Sequence, residues 1–111
     1  MSTTDQLILT PEDGSTPDRH IYALHGPLTL ANLLAVQEAL HSAARVLVLN
    51  FADVPYVDSA GVGALVQTFV RRKKQGQRLV LAAPNETVTK LFKLTGVDQL
   101  LEVVASLKDV D

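Results

Sequence analysis

Hydrophobic and polar positions change their period several times along the chain, and each change marks an element. Leu7 to Thr10 and Ile21 to Gly26 are short apolar-rich runs with strand character. Between them, Pro11 to Asp18 crowds Pro, Gly, Ser and Asp into a loop. After Gly26 the spacing lengthens. Leu33, Val36 and Leu40 fall on one face of a helix, with Gln37, Glu38 and His41 on the other. Arg45 to Phe51 is continuously apolar through its centre, the pattern of a strand covered on both faces.

Asp58-Ser59 is a good helix start, because short oxygen side chains accept from the unpaired N–H groups of a first turn. Val62, Leu65, Val66 and Phe69 follow at helical spacing. Arg71 to Lys74 occupies the last turns, where cations suit the negative helix end, and reads as a solvated face; Gly76 supplies the stop. Arg78 to Ala82 is a second buried strand. Pro84-Asn85 opens a helix with Val88, Leu91 and Phe92 inward and Glu86 four residues before Lys90. Gly96 ends that helix, Leu100 to Val104 makes a last strand, and Ser106 to Asp111 makes a helix stub at most. This alternation predicts an α/β fold, a mixed sheet of about five strands flanked by three to four helices. Val48, Val62, Leu65, Val66, Phe69, Leu81, Val88 and Leu91 are its expected core.

Composition narrows the function classes. A chain of 111 residues predicts one domain, 1–111. The absence of cysteine excludes a disulfide framework, a thiolate metal site and a thiol nucleophile. A net charge of −2 gives no general attraction to nucleic acid or anionic lipid. No apolar run reaches a membrane span, and Met1 to Gln6 lacks the plan of a signal peptide. The expected address is the cytoplasm, with neither nucleic acid nor membrane as partner. His20, His25 and His41 have no metal-ligand spacing. Gly61-Val-Gly63 is not a phosphate fingerprint, since the third glycine position holds Val66. The first strand lacks the paired carboxylates of a receiver-type site, and no acid/base set assembles from spacing. No catalytic residue, metal or cofactor is therefore expected. A small nucleotide-binding enzyme using the Gly61–Gly63 turn is the reading with least support.

The segment Val48 to Leu65 is the informative one: a buried strand, a short loop, then Asp58-Ser-Ala-Gly-Val-Gly63 opening a helix. Ser59 is placed at or beside the N-cap, and Ala60 and Gly61 leave the first-turn N–H groups approachable by an anion. On spacing alone, a serine after an aspartate here is an ordinary cap. In context the stretch resembles the STAS domain family, the sulfate-transporter and anti-sigma-factor-antagonist fold. Val48 to Leu65 is similar to that family's buried strand followed by D-S-[SA]-G-[LV]-G. Gln77 to Pro84 and Val88 to Leu101, with Leu94-Thr-Gly-Val-Asp-Gln-Leu-Leu101, are similar to its next strand and helix. The resemblance is strongest over 20–107 and is nearest to the small stand-alone bacterial antagonists.

The resemblance implies a non-enzymatic switch. Ser59 is the residue that an anti-sigma factor serine kinase phosphorylates. The unmodified antagonist binds that anti-sigma factor and frees a sigma factor; phosphate abolishes binding and a phosphatase restores it. The implied partner surface comprises Asp58, Ala60, Gly61 and Gly63 at the helix start, Pro27, Thr29 and Asn32 in the preceding loop, and the exposed side of the second helix. The family usually reads G-E-L-D where this chain has Gly26-Pro-Leu-Thr29, so both acidic positions are replaced, by Pro27 and Thr29. Its last helix also usually runs further than Asp111. A second role implied by the family is a docking subunit of a lipid-transport ATPase or a stress-signalling assembly, with no modification of the serine.

Overall fold

A computed structural model describes residues 6–110, and the expectation for Met1 to Gln6 lies largely outside them. Five strands form one sheet: β1 (Ile8–Pro11), β2 (Arg19–His25), β3 (Val46–Asp53), β4 (Arg78–Ala82) and β5 (Glu102–Val104). Their spatial order is their chain order. β1 runs antiparallel to β2, and every other pair is parallel. Parallel neighbours need crossovers, which α1 (Leu33–Leu40), α2 (Ser59–Lys74), α3 (Glu86–Thr95) and α4 (Val97–Leu100) supply. A 3-10 turn, Leu30–Asn32, precedes α1, and another, Leu107–Asp109, follows β5. Pro11 is tolerated in β1 because this is an edge strand.

The alternation of side chains splits the sheet between two cores. Leu47, Leu49, Phe51, Leu79 and Leu81 face the helices, packing with Val36 and Leu40 of α1, Leu65 of α2, and Val88 and Phe92 of α3. Phe51 and Phe92 meet edge to face, centroids 5.9 Å apart. Val46, Val48, Val80 and Ala82 face the other way, where Ile21, Val104, Leu107 and Val110 pack on them. The uninterrupted apolar run of β3 is thus explained by burial on both faces. The segment read as a helix stub contributes that second cover. Leu100, read as strand, instead ends the short helix α4, and β5 begins at Glu102. Glu86 and Lys90 pair at 3.5 Å as their spacing predicts.

The expected face of α2 needs correction. Leu65 is fully buried, but Val62, Val66 and Phe69 are half-buried at the margin of the core, as is Leu91 of α3. The fully buried stripe is Gly61, Leu65, Thr68 and Arg72. The basic run is corrected with it: Arg72 is only 1% exposed. Its guanidinium donates to the carbonyls of Arg78 (3.1 Å), Ser42 (2.8 Å) and Ala44 (2.7 Å), tying the loop after α1 to the start of β4. Arg71 donates to the Leu40 carbonyl at 2.8 Å. Planar, forked donors satisfy several carbonyls at once, so a charge can be buried among backbone dipoles.

Candidate functional site

The C-terminal ends of β2 and β3 deliver two loops that run side by side. Gly26 N–H donates to the Asp53 carbonyl, Leu28 N–H to the Tyr56 carbonyl, and Asp58 N–H to the Leu28 carbonyl, each at 3.1 Å. Two glycines make this stitching possible. Gly26 has φ of +130°, and a Cβ there would lie 2.5 Å from the Gln6 carbonyl oxygen. Gly61 lies so near the neighbouring loop that a Cβ would fall 2.4 Å from the Leu28 carbonyl oxygen. Gly63 has nothing within 4 Å of that position, so its openness is of a different kind.

The N-cap of α2 is Asp58, and Ser59 is the first helical residue. One Asp58 oxygen accepts from Gly61 N–H at 2.8 Å, and the other accepts from Leu30 N–H at 3.1 Å. One carboxylate therefore caps α2 and the 3-10 turn before α1. These bonds, Gly61 first and then Leu30, hold its pKa below the ordinary carboxylate value. Ser59 is exposed, and its hydroxyl has no hydrogen-bond partner among the described residues. The reading of Ser59 as an ordinary cap gives way here: the capping oxygen belongs to its neighbour.

The other residues singled out in the sequence divide by exposure. Pro27 and Gly61 are buried and shape the surface from beneath. Ala60, Gly63, Thr29 and Asn32 are half-buried, and the Asn32 amide donates to the Pro27 carbonyl at 2.9 Å. Leu30, at 71% exposure, and Tyr56, at 46%, are large apolar side chains beside them that the sequence reading passed over, and Leu34 of α1 is exposed too, at 83%. Leu34 was findable, since it lies off the Leu33–Val36–Leu40 stripe. Pro27, Thr29, Leu30, Ala31, Tyr56 and Asp58 line an open depression of about 570 Å³.

The histidines are engaged separately. His25 Nδ1 meets Asp53 at 2.8 Å and its Nε2 meets Thr10 Oγ1 at 3.0 Å. His20 meets Ser42 Oγ at 2.6 Å, and His41 meets the Gln37 carbonyl at 2.8 Å. Among the described residues no group of three His, Cys, Asp or Glu could hold a metal, and no helix is long and apolar enough to cross a membrane.

Comparison with known proteins gives this geometry a context. The sequence model of the STAS domain matches residues 10–110. The anti-sigma-B factor antagonist of Bacillus subtilis is 42% identical over 53 residues, 48% of this chain and 49% of that protein. The chain thus matches about half the length of such curated relatives. An anti-sigma factor antagonist from Mycobacterium paratuberculosis has a similar structure, with a TM-score of 0.82, 19% identity, and coverage of 98% of this chain and 94% of that one. The Bacillus cell fate determinant SpoIIAA in its phosphorylated form is similar at a TM-score of 0.64 and 20% identity, covering 86% and 89%.

Proposed function

This chain belongs to the STAS domain family, and we propose that it is an anti-sigma factor antagonist switched by phosphorylation of Ser59. Its partner on this reading is an anti-sigma factor serine kinase, with a phosphatase reversing the modification in the cytoplasm. The protein acts by binding and performs no catalysis of its own. The observation that carries the proposal is Ser59 itself: an exposed hydroxyl at the start of a helix whose cap is another residue. Modifying it removes no hydrogen bond from the described fold.

Two energies then compete. The helix N-terminus stabilises a phosphate in the free protein by ~0.3–1 kcal/mol. At the interface the same group brings about −1.5 to −2 charges beside a depression lined by Leu30 and Tyr56. A partner shaped for a neutral hydroxyl and these apolar side chains meets desolvation and charge penalties of several kcal/mol. A loss of ~3 kcal/mol weakens binding roughly a hundredfold. The interface effect wins, so phosphate releases the partner while the fold persists.

The test is calorimetric affinity for the anti-sigma factor kinase of the native cell. Ser59→Ala is expected to bind as the wild type does. Its folding stability should change by less than ~0.5 kcal/mol, because no cap is lost. Ser59→Asp should bind more weakly. Equal affinities for all three proteins would overturn the switch.

A further inference from the structure

We propose that Asp58 is a positioning residue whose carboxylate clasps the start of α2 to the leucine-bearing turn before α1, and that phosphate on Ser59 opens this clasp. The inference rests on the reading of Ser59 as the modified residue. Each Asp58 oxygen is committed to a different element, Gly61 N–H at 2.8 Å and Leu30 N–H at 3.1 Å. Thr29, at the N-cap position of the 3-10 turn, makes no side-chain cap bond. The Leu30 N–H therefore depends on a residue 28 positions away.

The rest of the loop is held independently. Leu28 is bonded through its own N–H and carbonyl to Tyr56 and Asp58, and its carbonyl is packed against Gly61. Releasing the Leu30 bond loosens the start of the turn carrying Leu30 and Ala31, whose end stays tied by Asn32 to the Pro27 and Thr29 carbonyls, without unstitching the two loops. A dianion on the adjacent residue repels the Asp58 carboxylate. It also competes for the same first-turn N–H groups, which favour whichever anion is nearer and more highly charged. Phosphate thus acts twice, by its own charge and by loosening the apolar turn that a partner would contact.

The test uses the free full chain and amide hydrogen exchange, so it needs no partner. Asp58→Asn keeps one acceptor oxygen, which as an N-cap serves Gly61, and replaces the oxygen facing Leu30 N–H with a donor that cannot accept from it. It should raise Leu30 amide exchange at least about tenfold, the factor for losing one charge-assisted hydrogen bond. The Leu28 amide, which reports the intact fold, should not change. Ser59→Asp should produce the same loss at Leu30, whereas the uncharged Ser59→Asn should not. Retained Leu30 protection in either Asp58→Asn or Ser59→Asp would overturn the proposal, as would loss of protection in Ser59→Asn. Failure of the switch itself appears separately, as equal partner affinities in calorimetry with the amide results unchanged.

Discussion

A carboxylate that accepts from two backbone N–H groups is easier to ionise than one in water, and Asp58 is so placed. Its folded pKa lies below the unfolded one, so its ionised form contributes stability above the ordinary value of 3.8. That contribution is lost as pH falls through the lower folded value. Wild type should therefore exceed Asp58→Asn in urea stability at neutral pH, and the gap should close in acid, below the ordinary carboxylate value. A gap that stays constant across that range would show that charge is not what Asp58 supplies. Sequence reasoning found the pair Asp58-Ser59 but could not say which residue caps, because both side chains cap well. A contact between loops decided it, since only the forked carboxylate reaches Leu30 and Gly61 together.

Along α2 the reason each position is buried matters more than its hydrophobicity. Gly61 is buried by a neighbouring backbone, Leu65 by the core, and Arg72 by three carbonyls. Apolar spacing registers only the second of these. The expected stripe was therefore displaced towards Val62, Val66 and Phe69, although the helix itself, its start and its basic end were legible. β4 was read to the residue because its pattern depends on nothing but burial. The two glycines of α2 should part company on mutation. Gly61→Ala drives a methyl group into the Leu28 carbonyl and should destabilise by several kcal/mol, above the usual overpacking cost of about 1–3 kcal/mol. Gly63→Ala meets open space and should stabilise by up to about 1 kcal/mol through helix propensity. Thermal unfolding of both variants checks the pair, and similar shifts for the two would contradict the close approach at Gly61.

The whole molecule is a sheet with unequal covers. Helices α1, α2 and α3 close one face, while the other relies on Ile21, Val104, Leu107 and Val110. Truncating Leu107 and Val110 together to Ala should cost about 1–3 kcal/mol, the transfer free energy of the methyl groups removed from a half-buried site. Chemical denaturation would measure it. Because these side chains lie across the sheet from α2, amide signals of Asp58 to Gly61 should stay in place; their displacement would mean the two cores are coupled. Strand order equals chain order, which has a consequence for assembly during synthesis. Each parallel strand can pair with one already made, and the helix joining them can fold down at once. The floor beneath Val48 and Val80 has only Ile21 of β2 in place early, for Val104, Leu107 and Val110 all come after β4 in the chain. A growing chain can complete the surface around Asp58 and Ser59 while the back of its sheet is still wet, and of the described elements the one that dries it is translated last.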